Sequence, residues 1–303
     1  MTSPTTNNYD EFGLFAENIA EYGIVANASP LVKRVHVEMD DGRKLSALVW
    51  GNTDPRLVLI HGGAQNAHTW DTVALALGLP LVAIDLAGHG HSDWREDGLY
   101  SHDNLANDVV TAIEQLAPNA QAVVGMSLGG LTALAVTHRA PHLVRHLVLV
   151  DITPGVNAQK ARAVLDFVNG PQSFASFDEL LARTKQHNPT RSESSLRRGI
   201  LHNAIQLADG SWQWRYDRRS HARSTSGDDQ NSTGFSELWD AMSQLTCPLL
   251  VVRGGLSPVV DDADVAEVKR CKASAEIVVI ENAGHSIQGD RPIELAGLLR
   301  RFD

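Results

Sequence analysis

The sequence has few cysteines, no excess of basic residues and no long apolar run. Two of its 303 residues are cysteines, Cys247 and Cys271, and both stand beside predicted buried elements, so we expect small apolar fillers and no disulfide. The formal net charge of −10 argues against a nucleic acid or an anionic membrane as partner, because both require a basic face. No segment approaches about 18 uninterrupted apolar residues, so we expect no membrane span. The N-terminus lacks a basic stretch followed by an apolar one, which predicts no signal peptide and a cytoplasmic protein.

The composition is that of an ordinary globular protein. Hydrophobic residues make up 43% and charged residues 20% of the chain, and 303 residues suffice for one large domain with an insertion. An amphipathic helix is predicted over residues 11–22. Residues 32–50 predict an antiparallel hairpin, because Asp40-Asp41-Gly42 separates two strand-like runs.

One stretch carries the strongest functional signal. Residues 122–124 are an apolar, β-branched run that predicts a buried strand, and Gly125-Met-Ser-Leu-Gly129 follows it directly, ahead of a predicted helix. The glycines permit a turn too tight for side chains on either side of the serine. A strand, such a turn and a helix make a nucleophile elbow, which exposes the Ser127 hydroxyl at a helix N-terminus. A chance occurrence in a loop is the alternative, and the flanking strand and helix argue against it.

Other polar residues also stand at the ends of predicted strands. His61, Asp85, Ser127 and Asp151 each come at or just past the end of a short apolar run. In open α/β sheets, ligands gather at the carboxyl ends of the strands, so we expect these loops to form one site. A metal site around the histidines of residues 89–91 has no second cluster of ligands, and we expect neither a metal nor a cofactor.

From about residue 33 to the C-terminus, the chain resembles the α/β-hydrolase fold superfamily. The resemblance implies a mostly parallel, doubly wound α/β sheet formed by residues 31–155 and 235–303, with a helical cap inserted at residues 156–234. Residues 1–30 would then be an N-terminal extension. Within the cap, residues 221–234 are rich in Ser, Thr, Gly and Asp and predict a flexible return to the main domain.

The resemblance also implies an oxyanion hole. In the superfamily a His-Gly segment after a strand supplies one amide N–H, which here would belong to Gly63 or, as the alternative, to Ala64. The second donor would be the amide of Leu128, directly after the nucleophile. A plain glycine turn is the competing interpretation of the first segment.

Candidate pocket residues come from the same loops. We expect His61, Trp70 and Met126 near the pocket, with a structural hydrogen bond for His61 and a core position for Trp70 as alternatives. Four arginines of the predicted cap are interpreted as solvated surface, with binding of an anionic substrate tail as the alternative: Arg197, Arg198, Arg218 and Arg219.

A general base and an acid complete the resemblance. Gly284-His285 follows the last predicted strand, where the superfamily carries its catalytic histidine, so His285 is the expected base. Many relatives place the acid after the preceding strand, but this chain has Ser257 there, and a serine cannot supply the negative charge. Some place it one strand earlier, at the position of Asp151, which we assign. The acids of residues 261–264 are the alternative and are typical of a helix first turn.

These assignments predict a serine hydrolase that acts on a carboxylic ester or lactone through an acyl-enzyme. The expected substrate is a small apolar molecule with a carbonyl group. A serine at the elbow argues against epoxide hydrolases and haloalkane dehalogenases, which need a carboxylate there. A thioesterase and a C–C bond hydrolase are alternatives of the same class, and a lyase of this fold or a non-catalytic small-molecule receptor are alternatives of other classes. No feature of the sequence specifies an oligomeric state.

Overall fold

The structure is a computed structural model that describes residues 9–25, 30–219 and 230–303, with side chains from residue 237 in the last segment. The predicted return segment therefore lies partly outside the described residues. The strands are β1 (Val32–Glu38), β2 (Lys44–Trp50), β3 (Leu57–Ile60), β4 (Leu81–Ile84), β5 (Ala122–Met126), β6 (Leu147–Val150), β7 (Ser173–Phe174), β8 (Ala204–Gln206), β9 (Trp212–Trp214), β10 (Leu249–Gly254) and β11 (Glu276–Ile280). The helices are α1 (Phe15–Tyr22), α2 (Asp71–Leu77), α3 (His102–Leu116), α4 (Leu128–Arg139), α5 (Arg162–Val168), α6 (Phe177–His187), α7 (Glu193–Asn203), α8 (Gln230–Ser243), α9 (Asp262–Cys271), α10 (Ile287–Asp290) and α11 (Pro292–Leu299).

Eight of these strands form the central sheet, in the order β1-β2-β4-β3-β5-β6-β10-β11. The predicted hairpin is confirmed: β1 pairs antiparallel with β2, and the chain reverses at Gly42 with φ 82°. β2 also pairs antiparallel with β4, whereas every neighbouring pair from β4 to β11 is parallel. All carboxyl ends of the parallel strands therefore meet at one edge, as the α/β prediction requires.

Helices cover both faces of this sheet because its central strands are apolar on both sides. In β3, Val58 and Ile60 belong to the core on one face, while Leu57 and Leu59 belong to the core on the other, and none of the four is exposed. α3, α4 and α8 pack on the first face, and α1, α2 and α11 on the second. The mostly parallel, doubly wound sheet is confirmed. Burial of each of the four β3 side chains stabilises the fold by roughly 1.5–3 kcal/mol relative to leaving it exposed to water.

A smaller unit stands between β6 and β10. It contains α5, α6, α7 and a three-stranded sheet of order β7-β9-β8. Its own apolar cluster includes Val168, Leu180 and Trp214, and this cluster also contains Ala64, from the loop after β3. The side-chain pattern of residues 194–207 predicts one helix, but α7 ends at Asn203 and Ala204–Gln206 pair with β9, because the turn before Trp212 brings an antiparallel partner alongside. The pattern also predicts a helix from residue 235, whereas α8 begins at Gln230.

Helix α1 fastens the smaller unit to the sheet domain. The Glu17 carboxylate accepts hydrogen bonds from Arg197 of α7, and Glu21 forms an ion pair with Arg198, whose side chain is buried. Between these acids, Asn18 accepts from Arg198 and from Thr72 of α2. One helix thus contacts both units through charged and amide groups.

Two further sequence expectations have simple outcomes. Cys247 is buried and Cys271 partly buried, and both are free thiols. In the described ranges, no helix has the length and apolar character that crossing a membrane requires.

Candidate active site

The chain turns sharply at Ser127, between β5 and α4. Ser127 has φ 52° and ψ −121°, a conformation that is strained for residues other than glycine. A Cβ on Gly125 would lie 2.2 Å from the carbonyl oxygen of Gly129, and a Cβ on Gly129 would lie 2.4 Å from that of Ile60. Both flanking positions therefore require glycine, as the nucleophile elbow predicts. Ser127 itself is only partly buried and lines a cavity.

Ser127, His285 and Asp151 form a continuous series of hydrogen bonds. Nε2 of His285 lies 3.1 Å from Oγ of Ser127, and Nδ1 lies 2.8 Å from Oδ2 of Asp151. Because a carboxylate accepts at Nδ1, the proton of neutral imidazole resides there, and Nε2 is left to accept from the serine hydroxyl. The three residues follow β5, β6 and β11, so the edge of the sheet brings together positions up to 158 residues apart.

Asp151 is fully buried and is held by more than the histidine. Its Oδ1 accepts the amide N–H of Gly254 at 2.9 Å, and its Oδ2 accepts the hydroxyl of Ser257 in addition to His285. The backbone of Asp151 also has a positive φ of 51°, which is uncommon for a residue with a side chain. These contacts fix the carboxylate and satisfy its charge in a site without solvent.

The acidic residues that follow Ser257 have other partners. Asp261 and Asp264 form the capping box of α9, in which each side chain accepts the backbone N–H of the other. Asp262 forms an ion pair with Arg253. The carboxylate bonded to the histidine is thus the one after β6.

The three predicted oxyanion donors lie around the nucleophile. In the described ranges, no residue accepts the amide N–H of Gly63, Ala64 or Leu128, so these donors are available to a ligand. Gly63 and Ala64 line the same cavity as Ser127. Ala64 has φ 59°, and its carbonyl oxygen accepts the side-chain amide of Asn203 at 2.6 Å. A residue at the end of α7 thereby holds the loop that carries two of the donors.

The three candidate pocket residues have different surroundings. Met126 lines the cavity beside the nucleophile. His61 is fully buried: its Nδ1 donates to the carbonyl oxygen of Gly62 at 2.7 Å, and its Nε2 accepts the amide N–H of Leu86 at 2.9 Å. Burial lowers the pKa of His61, so the ring is neutral and joins the loops after β3 and β4. Trp70 is fully buried in the core next to α2.

The cavity that contains Ser127 and His285 has a volume of about 430 Å³. The smaller unit lines it with apolar Val164, Phe167 and Val168 of α5 and with polar residues of the segment 187–190. Leu256 and Pro258 continue the apolar lining on the side of β10. An apolar portion of a small molecule fits beside the nucleophile.

One group of side chains has the composition of a metal site. His68, Asp71 and His202 bring three ligand atoms within 4.8 Å of one another and are buried. However, Nδ1 of His68 lies 2.8 Å from Asp71 and its Nε2 lies 3.0 Å from Glu11. Burial lowers the pKa of His68, but the carboxylates of Asp71 and Glu11 outweigh this effect and raise the pKa to about 9. Both ring nitrogens therefore carry protons at neutral pH. With a carboxylate at each of its two ring nitrogens, His68 has the geometry of an internal ion pair.

Three polar side chains form hydrogen bonds to residues of the site, and the sequence motifs did not indicate this role for them. Ser257 bonds to Asp151, Asn203 bonds to Ala64, and the amide of Gln65 accepts from Gly62 and donates to Ser286 beside the histidine. Their partners lie up to 221 residues away in the chain, so no local spacing could have identified them.

Comparison with known proteins identifies the family. The alpha/beta hydrolase fold family matches residues 55–292. The esterase Rv0045c of Mycobacterium tuberculosis is 44% identical over 298 residues, which are 96% of this chain and 95% of that protein. The 2-(acetamidomethylene)succinate hydrolase of Mesorhizobium japonicum is 28% identical over 242 residues, which are 78% of this chain and 84% of that protein. A solved structure of the Mycobacterium tuberculosis esterase has a TM-score of 0.83 at 43% identity and covers 98% of each chain. With an elbow, a doubly wound sheet and a sequence match over most of its length, this chain belongs to the α/β-hydrolase fold family.

Proposed function

We propose that this chain is a serine esterase that hydrolyses a carboxylic ester or lactone through an acyl-enzyme. The observation that carries the proposal is the hydrogen-bonded series from Ser127 through His285 to the buried Asp151. The name esterase, given to a relative that is 44% identical over almost the whole chain, supports the reaction class.

The proposed reaction begins when Nε2 of His285 takes the hydroxyl proton of Ser127 and Oγ attacks the ester carbonyl. The negative oxygen of the tetrahedral intermediate accepts the amide N–H of Leu128 and that of Gly63 or Ala64. His285 then gives its proton to the leaving alcohol. Water, deprotonated by the same nitrogen, hydrolyses the acyl-serine. Asp151 holds the imidazole in the required tautomer and stabilises the imidazolium.

We further propose the domain division that the sequence suggested. Residues 31–155 and 235–303 form the hydrolase domain, residues 156–234 form a cap, and residues 1–30 form an N-terminal extension. The cap contributes the apolar wall at Val164, Phe167 and Val168, which excludes water from the acyl transfer and favours a small apolar acyl group.

The test is labelling of the purified protein with a fluorophosphonate, mapped by peptide mass spectrometry. We expect the label on Ser127, no label in Ser127→Ala, and labelling slowed by at least about 100-fold in His285→Ala, since the general base is lost. Ser243→Ala is the control, because this serine is exposed at the end of α8 and lies outside the cavity. Esters, lactones and thioesters are then compared as substrates.

Three outcomes would contradict the proposal. A folded protein in which Ser127 stays unlabelled, and which binds but does not hydrolyse esters, would indicate a receptor. Turnover without a trappable acyl-serine would indicate a lyase. A thioester or a β-diketone hydrolysed while oxygen esters are not would move the activity to thioester or C–C bond hydrolysis.

A further inference from the structure

A second cavity adjoins the one that contains Ser127. Its volume is about 130 Å³, and α2, α7 and α10 contribute to its wall. The two cavities share five lining residues, Ala64, Gln65, Phe167, Asn188 and Ser286. The two cavities therefore lie against each other, so a molecule bound at the nucleophile is next to the second cavity, which we call the polar cavity.

The polar cavity differs from its neighbour in chemistry. Six side-chain amides line it: Asn18, Gln65, Asn66, Asn188, Asn203 and Gln288. Four polar atoms of its lining are buried without a hydrogen-bond partner among the described residues, namely Oδ1 of Asp71, Nε of Arg191, Nε2 of His202 and Oε1 of Gln288. Buried polar groups are rarely left without a partner, so this cavity is built for a polar occupant.

The charges of the lining balance with one exception. Asp71 is paired with the protonated His68, and Arg198 is paired with Glu21. His202 is neutral, since burial lowers its pKa well below the ordinary value. Arg191 forms no direct ion pair with any described residue; the carboxylates of Asp290 and Glu21 act on it only from a longer distance, so its guanidinium has no anionic contact in the polar cavity.

Arg191 is positioned to offer that charge to a ligand. It lies in the loop between α6 and α7, where its Nη2 donates to Oγ of Ser195 at 2.7 Å. The guanidinium is close to Gly289, where a Cβ would come within 2.9 Å of Cζ, so a larger residue there would displace it. Burial lowers the pKa of Arg191, yet a guanidinium keeps its proton at neutral pH, and a desolvated cation favours an anionic partner.

The arginines that the sequence suggested for an anionic tail have other partners. Arg197 binds Glu17, Arg198 binds Glu21 and Arg219 binds Asp217. Arg218 donates to the carbonyl oxygen of Asn169. Arg191, which lines the polar cavity without a direct ion pair, is thus a residue that the sequence did not single out.

We infer that the polar cavity binds a carboxylate on the substrate and that Arg191 is the residue that selects for it. The substrate class is an ester with two unlike ends: an apolar portion in the cavity of Ser127 and a carboxylate that reaches Arg191. This inference rests on the proposed esterase function, and it names a specificity residue that does not touch the reacting atoms.

The test compares kcat/KM between esters that carry a carboxylate and neutral esters of the same length. Hydrolysis is followed by titrating the acid that it releases. Monoethyl esters of succinic, glutaric and adipic acid are compared with ethyl alkanoates of equal chain length, which places the carboxylate on the acyl side. Acetate esters of hydroxy acids are compared with alkyl acetates of equal length, which places it on the alcohol side. We expect wild type to prefer the carboxylate in at least one series.

In Arg191→Gln that preference should fall by roughly 10- to 100-fold, because a charge-assisted hydrogen bond is lost, while neutral esters are hydrolysed as before. Arg191→Lys should restore part of it. Arg197→Gln removes a neighbouring cap arginine that is 41% exposed and should leave the preference unchanged.

The two proposals fail in different ways. If neutral esters are not hydrolysed and Ser127 is not acylated, the esterase proposal is wrong. If wild type hydrolyses neutral esters through Ser127 but gains nothing from a carboxylate in either series, the polar cavity holds water and the inference about Arg191 is wrong. An equal effect of Arg191→Gln on charged and neutral esters would overturn it as well.

Discussion

Ser257 donates its hydroxyl hydrogen to Oδ2 of Asp151, the same oxygen that accepts Nδ1–H of His285. The position at which the resemblance to α/β-hydrolases suggested an aspartate is therefore occupied by a partner of the aspartate on the neighbouring strand. A carboxylate at residue 257 would put a second negative charge against a fully buried one. The residue types at the two positions depend on each other, because a hydroxyl at position 257 can donate a hydrogen bond to a carboxylate at position 151.

Replacing the acid should affect catalysis far more than replacing its partner. In Asp151→Asn we expect kcat to fall by about 10³- to 10⁴-fold with little change in KM, because the histidine loses both its tautomer preference and the charge that stabilises its protonated form. In Ser257→Ala one hydrogen bond to the carboxylate is lost, and we expect a decrease of about 10-fold. Steady-state kinetics on one ester compares the two variants. Equal effects would mean that Asp151 is not the acid.

The oxyanion loop should depend on a residue of α7. Asn203→Ala removes the hydrogen bond to the carbonyl oxygen of Ala64, so the amides of Gly63 and Ala64 lose their fixed position. We expect kcat to fall by about 10- to 100-fold, since misplaced donors act mainly on the transition state. Asn169→Ala, which removes an exposed cap amide outside both cavities, is the control. A rise in KM with unchanged kcat would indicate a role in substrate binding instead.

Stability should depend on the protonation of His68. Its folded pKa of about 9 lies above the ordinary 6.5, because Asp71 and Glu11 outweigh the effect of burial. A raised pKa stabilises the fold below about pH 6.5, and this contribution is lost as the pH rises through about 9. The free energy of unfolding in urea should thus fall over this interval by on the order of 3 kcal/mol in wild type. His68→Gln should lack this slope. Parallel pH curves for the two proteins would contradict the assignment.

The elbow should not tolerate a methyl group. In Gly129→Ala the new Cβ would lie 2.4 Å from carbonyl oxygens of both Ile60 and His61, so the sheet or the elbow must shift. We expect a loss of stability of at least about 3 kcal/mol, seen as a lower Tm. Gly297→Ala in α11 meets nothing within 4 Å and should stabilise the protein by about 0.5–1 kcal/mol. Similar Tm values for the two variants would refute the steric argument.

The sequence predicted the parts of this molecule that are encoded locally. The elbow at Ser127 is a strand, a tight turn and a helix in direct succession, and Asp151 and His285 each follow a recognisable strand. Such patterns need no knowledge of distant residues. The sheet could be predicted for the same reason, since its apolar strands alternate with amphipathic helices.

The parts that could not be predicted depend on contacts between distant segments. Ser257 gained its role from a carboxylate 106 residues away, and Asn203 from a loop 139 residues away. Residues 204–206 have a helical pattern of side chains but form β8, because tertiary pairing outweighs local preference over so few residues. Arg191 became notable only when its neighbours proved to be paired with each other.

Helix α1 ties the N-terminal part of the chain to the proposed cap. Glu17 and Glu21 bind the arginines of α7, while Asn18 binds Thr72 of the sheet domain. If residues 156–234 open as a cap, these contacts must break, so their strength would limit how far and how often α7 moves. A chain shortened to begin at residue 31 would retain Ser127, Asp151 and His285 yet lose the restraint. Access to the proposed nucleophile would then depend on a segment that holds none of the three proposed catalytic residues.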